Sequence, residues 1–359
     1  MTIKVENKYI GDRQPAFIIA EISANHGQSL KRARSLINIA KECGVDAVKF
    51  QTYTPDTITI DVSNKFFKVN HPVWGGQTLY NLYQKAYTPW SWFKQLKQLC
   101  DDLGIVFFST AFDRTAIDFL EDLDVPVHKI ASFELVDLPL IEYAAKTKKP
   151  LIMSTGMASM AEIKEAVEAA KEAGAKDIIL LKCVSNYPAQ PDQMNLGMIG
   201  RMRRDFNCPV GFSDHSLEPA VAIAAVCQGA VVVERHFTSS RKRLTPDSFF
   251  STEPAEMKKL VEEIRMVELA VGSNSKTTLT DKKSKVFRRS LFVVQDIKKG
   301  ELFSQDNVRS IRPAYGLAPK YWKQVIDKRA VKNIKKGTPL KWAHIEAFNA
   351  SVGRNHNRG

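Results

Sequence analysis

Through residue 272 the chain alternates between two hydrophobic periods. Short continuous apolar runs rich in Val, Ile and Phe have the pattern of strands buried on both faces. They are FIIAE (Phe17–Glu21), AVKFQ (Ala47–Gln51), VFFST (Val106–Thr110), VHKIA (Val127–Ala131), LIMST (Leu151–Thr155), IILLK (Ile178–Lys182), VGFSD (Val210–Asp214) and VVVER (Val231–Arg235). Between them lie stretches of helical period, such as LKRARSLINIAKECG and MAEIKEAVEAAKEAG, each closed by a glycine where a left-handed cap is expected. The last helical stretch, PAEMKKLVEEIRMVELAVG, opens at Pro254 and stops at Gly272. Eight strand-then-helix units in about 250 residues predict an α/β fold, a (β/α)8 TIM barrel. A doubly wound open sheet competes, weakened because no GxGxxG follows the first strand.

Past Gly272 the texture changes, so residues 1–272 are expected to be one domain. Residues 273–284, SNSKTTLTDKKS, are polar and turn-prone and read as a linker. Residues 285–348 carry short β-runs and two closely similar turns, DIKKGELF and NIKKGTPL, which predict a small β-rich domain with internal repetition. Residues 349–359 are polar and expected to be a flexible tail.

Composition narrows the class. Charged residues at 25% and hydrophobic residues at 44% exclude a disordered chain, a collagen and a coiled coil. Five scattered cysteines with no CxxC pair argue against a disulfide framework or a zinc ribbon. The opening MTIKVENKYIGDRQ holds no apolar core of signal-peptide length, and the longest apolar stretch, Ala220–Val233, falls short of the ~20 residues a bilayer span requires. The expectation is a cytoplasmic protein without membrane contact. The net charge of +13 reads first as a solvated basic surface and next as affinity for small anions. No nucleic-acid-binding motif accompanies it, and no nucleic-acid partner is expected.

In such a barrel, chemistry gathers where strands end. Those ends carry Glu21, Lys49 with Gln51, Ser109–Thr110, Lys129 followed by Ser132 and Glu134, Ser154–Thr155, Lys182, Ser213 with His215, and Glu234 with His236. Lysines and hydroxyls around a central pit suit a small phosphate or carboxylate. His215 and His236, on adjacent strand ends, could share one metal ion, although their spacing matches no HExxH pattern. Glu21 and Glu134 could serve as acid or base if burial raises a pKa, with salt bridges to Lys49 or Lys129 as the plain alternative.

The motifs AEISANHGQSLKRA, VKFQTY, FFSTAFD, HKIASFE, MSTGMAS, GFSDHS and ERHFT resemble, in matching order, those of the sialic acid (nonulosonic acid) synthases. The segment RRSLFVVQDIKKGELFSQDNVRSIRPAYGL is similar to their SAF, or antifreeze-like, domain, and VWGGQTLYNLYQKAYTPWSW looks most like the pseudaminic acid synthase branch. The resemblance implies condensation of phosphoenolpyruvate (PEP) with an N-acetylated amino sugar, giving a nine-carbon acid and phosphate. For that branch the sugar would be 2,4-diacetamido-2,4,6-trideoxy-L-altrose. It implies a divalent metal, manganese foremost with magnesium or cobalt as alternatives, on His215 and His236. It places PEP on Lys49, Thr110, Lys129, Ser132, Ser154 and Ser213, and the sugar on Gln51, Tyr187 and Asp247. Glu134 would transfer a proton at the sugar oxygen, and Glu21 would hold or activate polar groups nearby. It further implies a homodimer in which the small domain swaps onto the partner's barrel and brings Arg312 to the sugar.

The insertion from about Tyr53 to Thr88 exceeds the usual strand-to-helix loop length and is expected to act as a lid with a say in specificity. Trp74, Tyr80 and Tyr83 are its candidates for touching a deoxy sugar's methyl, against the alternative that they pack the loop onto the barrel. N-acetylneuraminate or legionaminate synthesis is the rival reading within the family. A non-catalytic carbohydrate-binding protein is the rival outside it.

Overall fold

The structure is a computed structural model that describes residues 1–272 and 279–346. Its contacts divide the chain into two compact units, Met1–Ser273 and Asn274–Gly359. Residues 273–278 of the expected linker, the last two residues of the expected small domain and the expected tail at 349–359 lie outside the described residues.

The first unit opens with an antiparallel hairpin, β1 (Thr2–Val5) and β2 (Lys8–Gly11). Eight parallel strands follow: β3 (Phe17–Glu21), β4 (Ala47–Thr52), β5 (Val106–Ala111), β6 (His128–Ile130), β7 (Leu151–Ser154), β8 (Ile178–Cys183), β9 (Val210–Asp214) and β10 (Val232–His236). They close in chain order into a barrel, β10 seating between β9 and β3. The helices that return the chain are α1 (Leu30–Glu42), then α2 (Pro55–Ile58) and α3 (Leu79–Ala86) in the insertion, α4 (Phe93–Leu103), α5 (Arg114–Asp122), α6 (Leu138–Ala145), α7 (Met160–Glu172), α8 (Met198–Phe206), α9 (Pro219–Cys227) and α10 (Pro254–Val271). Local chemistry sets their ends. Ser159 and Glu162 cap α7 reciprocally, Ser29 caps α1, and Gly44 and Gly174 take the left-handed conformation just past α1 and α7.

Strand parity sorts the side chains. On β3, Ile18 and Ala20 pack outward with the helices, while Phe17 and Ile19 fill the barrel interior. The interior is sealed at the end where the strands begin by Ile3, Val5 and Ile10 of the hairpin, packed with Phe17, Val106, Phe108 and Leu181. The opening residues therefore form a plug. The alternation Ile3–Val5 was its sequence signal, short enough to pass as irregular chain. Inside the barrel the backbone of Gly211 lies so close to Val232 and Leu181 that a Cβ would overlap both.

In the second unit Leu279–Ser284, expected to be linker, is instead helix α11. β11 (Ser290–Val293) pairs antiparallel with β12 (Val308–Ile311) over a core of Leu291, Phe303, Val308, Val325 and Leu340. The two KKG turns answer one another. Gly300 and Gly337 share a left-handed conformation, and Ile297 and Ile334 exchange backbone hydrogen bonds of 2.9 and 2.8 Å. Among the described residues no helix is long and apolar enough to cross a membrane.

Candidate active site

The inward parity that buries Phe17, Ile19, Val106 and Ile152 deep in the barrel reaches its last residues at the opposite mouth, and there it turns polar. Glu21, Lys49, Thr110, Lys129, Ser154, Cys183, Ser213 and Glu234 are all at most 6% exposed, so the mouth buries a polar group on every strand and a charge on four of the eight. Buried ions are costly unless paired, which is why these groups bind one another. Lys49 Nζ lies 2.5 Å from Glu21 Oε2 and 3.7 Å from Glu234 Oε1, and it donates to Thr110 Oγ1 at 2.9 Å. Lys129 Nζ donates to Ser154 Oγ at 2.6 Å and to the Ile130 carbonyl at 2.8 Å. Ser213 Oγ donates to Glu234 Oε1 at 3.3 Å.

Their proton affinities follow from burial and neighbours. Burial raises Glu21 to about 7 against the pull of Lys49. Burial opposes ionisation of Glu234 as well, but the Lys49 and Lys129 ammoniums win and hold it below the usual carboxylate range. Burial alone would lower the pKa of Lys49; Glu21 and Glu234 outweigh it and raise it. Lys129 makes no ion pair among the described residues, and burial, only partly offset by Glu234, brings it down to about 8. The result is a pit holding two ammoniums, one firmly ionised carboxylate and one carboxyl poised near neutrality.

Beyond the strand ends, Ser132 and Glu134 sit on the loop after β6. Burial raises Glu134 to about 7, and its Oε2 has no hydrogen-bond partner among the described residues. A Cβ on Gly156 would strike Ser132 and Ser185, so the serines and this glycine form a cradle that tolerates no side chain there. Ser185 Oγ is buried and unpartnered among the described residues.

The two histidines face each other with ring centroids 5.4 Å apart. His215 is oriented by a 2.8 Å contact between Nδ1 and the Val184 carbonyl, which leaves Nε2 free, and Cys183 Sγ lies 3.9 Å from Nδ1. Among the described residues His236 Nδ1 has no hydrogen-bond partner; it stands 3.9 Å from Asp247 Oδ2, and burial pushes the ring well below its ordinary pKa. Two imidazoles at this separation with nitrogens left free fit a shared divalent ion. Among the described residues no cluster of three His, Cys, Asp or Glu side chains completes a metal site, so the remaining ligands would have to be water or substrate. Tyr187 packs on His215 at 4.3 Å and on Phe250 at 5.0 Å, and Asp247 is held by Ser23 Oγ and the Ala24 N–H. Gln51 ends the inward row of β4, half-buried.

Two expectations shift. Lys182 does not enter the pit: Ile179 and Leu181 line the interior, so Lys182 continues the outward row and donates to the Cys183 carbonyl. Ser109 likewise faces out and bonds Thr52 Oγ1 at 2.7 Å. Arg312 belongs to the second unit, exposed just after β12. Two central groups carry no mark of their inward placement in composition or motif: Glu234 is one strand-end residue among several and Cys183 one of five cysteines, and only parity counted from Val232 and Leu181 turns both inward.

The insertion is separately anchored. Trp74 Nε1 donates to the Pro246 carbonyl at 2.7 Å, and its ring lies 5.9 Å from Tyr187 and 6.0 Å from Phe249. Tyr83 packs edge-on against buried Tyr53, whereas Tyr80 bonds Asp56 at the surface. His26, fully buried, contacts Thr88 Oγ1 at 3.0 Å and closes the insertion onto the barrel.

Comparison with known proteins fits this mouth. The NeuB family model matches residues 36–276 and the SAF domain model residues 288–346. A pseudaminic acid synthase of Helicobacter pylori is 41% identical over 93% of this chain and 98% of its own length. One from Campylobacter jejuni is 42% identical over 90% and 95%. A crystal structure of the N-acetylneuraminic acid (sialic acid) synthetase of Leptospira borgpetersenii superposes with a TM-score of 0.72 at 32% identity, over 80% of this chain and 95% of that one. Barrel, charged mouth and appended small domain together are those of a protein that belongs to the NeuB family.

Proposed function

We propose that this chain is a pseudaminic acid synthase, condensing PEP with 2,4-diacetamido-2,4,6-trideoxy-L-altrose to give pseudaminic acid and phosphate. The observation that carries the reading is the buried pair Lys49 and Lys129 set in one barrel mouth with His215 and His236. The two pseudaminic acid synthases similar to this chain along almost its whole length support the choice of sugar.

PEP carries phosphate and carboxylate charges, and Lys49, Lys129, Thr110, Ser132, Ser154 and Ser213 supply two cations and four hydroxyls to hold them. The firmly ionised Glu234 keeps both ammoniums charged beside the incoming anion. Gln51, Tyr187 and Asp247 flank the imidazoles and would orient the sugar so that its aldehyde meets the PEP methylene carbon. A divalent ion held by the free nitrogens of His215 and His236, manganese first and magnesium or cobalt as alternatives, would supply Lewis acidity at the aldehyde oxygen. As the C–C bond forms, that oxygen takes a proton, and Glu134, raised to about 7, would give it. Water then adds to the former enol carbon. Glu21 accepts the proton it releases; the hemiketal phosphate then collapses by breaking its C–O bond to phosphate, the hydroxyl proton leaving with the phosphate and a ketone remaining.

The SAF-like unit would act in trans. Around the mouth Phe133, Met157 and Leu244 are 63, 56 and 91% exposed, an apolar collar that supports cover by a second copy. In the homodimer we propose, the partner's small domain brings its arginine, the counterpart of Arg312, to the sugar. The five cysteines are free and four are buried, in keeping with the cytoplasm. Insertion residues Trp74 and Tyr83 would form a lid over the sugar's far end, and Tyr80 would take no part.

The reading is tested by phosphate release from PEP with each of three sugars: the trideoxy altrose, and the N-acetylated sugars of neuraminate and legionaminate synthesis. Turnover with the first and little with the others is expected. Preference for either other sugar would reassign the branch, and no PEP consumption with any would remove the synthase reading.

A further inference from the structure

Arg235 and Asp214 are charged, only 3 and 2% exposed, and absent from the chemistry above. They are register neighbours on β10 and β9, one position out of phase with the inward pair Glu234 and Ser213, so they face the helices rather than the pit. Their partners say what they do there. Asp214 Oδ1 accepts from the Ser216 N–H at 2.9 Å, and Arg235 donates through one guanidinium nitrogen to the Ser216 carbonyl while the other lies 3.4 Å from Asp214 Oδ2. Both backbone groups of the residue after His215 are thus claimed by this pair. Arg235 itself immediately precedes His236.

We propose that Arg235 and Asp214 are a positioning pair, clamping the His215 loop to the strand that carries His236 and so setting the separation of the two imidazoles. A planar fork suits this duty because it reaches a carboxylate and a carbonyl at once, which an ammonium cannot do with the same rigidity. A buried ion pair is weak evidence for stability, since apolar replacement of both partners often costs nothing. The outward location shields the pair from substrate. Its contacts reach the imidazoles through one backbone unit on one side and one peptide bond on the other. Outer partners of this kind commonly tune metal affinity by about 10- to 100-fold. The proposal rests on the reading that His215 and His236 share a divalent ion.

The test is titration of the whole protein with Mn²⁺, following free ion by electron paramagnetic resonance, beside thermal melting by circular dichroism. Arg235→Lys keeps the charge and loses the fork; it is expected to bind Mn²⁺ about tenfold more weakly with little change in melting. The double substitution Asp214→Leu with Arg235→Met leaves no unpaired charge. It is expected to melt no lower than wild type and to show the same order of loss. Wild-type affinity in either folded variant overturns the proposal. His215→Ala runs in parallel: if it binds Mn²⁺ as well as wild type, the ion sits elsewhere and the metal reading fails instead. A metal-free measurement then decides for the pair. The His215 imidazole correlations in nitrogen-edited NMR should broaden or shift in Arg235→Lys, and an unchanged spectrum rejects the clamp.

Discussion

The two mouths of the barrel are made by the same eight strands and the same inward rows, yet they are opposite in chemistry. At one, Ile3, Val5 and Ile10 close the interior with nothing but hydrocarbon. At the other, the rows carry Glu21, Lys49, Lys129 and Glu234, each nearly inaccessible and each ionisable. The apolar mouth gains from burying surface, and the charged one pays desolvation that only mutual pairing offsets. The fold thus keeps its stabilising contacts and its reactive groups at different ends, so each can be altered with little effect on the other.

That separation can be attacked from both sides. The largest effect is expected from His215→Ala or His236→Ala: loss of turnover and of metal retention, with melting barely moved. Exhaustive chelation should reproduce it, and full activity after chelation would take the metal out of the account. Lys129→Ala comes next. Losing a charged hydrogen-bonding partner of PEP costs about 1.5–3 kcal/mol, which should appear as a raised KM for PEP with the sugar's KM unchanged. Ile10→Ala at the sealed mouth should lower stability by about 2–5 kcal/mol in denaturant melts and leave both KM values alone. If it changed PEP binding, the two ends would not be independent.

Two smaller effects sharpen the picture. Glu134, raised to about 7, gives up its proton as pH climbs through that value, so kcat should fall on the alkaline side. Lys129, lowered to about 8, discharges later and should weaken PEP binding above that pH. Glu134→Gln should reduce kcat and erase the first limb while sparing the second; an unaltered profile would assign the proton to another group. Smallest of all, Trp74→Ala should raise the sugar's KM by about tenfold and leave PEP saturation unchanged, the size of effect an apolar wall commands. Tyr80→Phe should do nothing.

Much of this could be read before any coordinates. The eight apolar runs predicted eight strands because parallel barrel strands are buried on both faces and tolerate few polar residues until they end. The same property marked Glu21, Lys49, Lys129 and His236, polar residues that interrupt such runs at their ends. What stayed hidden depended on parity and on distance along the chain. Lys182 and Cys183 are adjacent, and only the phase of β8 decides that the thiol faces the pit and the ammonium does not. The plug at Ile3–Ile10 leaves only a short alternation in the sequence, since two four-residue strands become informative only once a barrel end exists for them to fill. The Arg235–Asp214 contact joins two strands whose register no local pattern fixes.

The closing of the barrel has a consequence for how the protein comes into being. β10 seats between β9 and the first barrel strand, joining residues more than two hundred positions apart, and it carries both Glu234 and His236. During synthesis the hydrocarbon plug and both lysines emerge early, but the second imidazole arrives with the final staple. A chain interrupted before Val232 would hold its anion-gripping groups around an open seam, and would lack Glu234, His236 and the Asp247 proposed to face the sugar, all of which come after it.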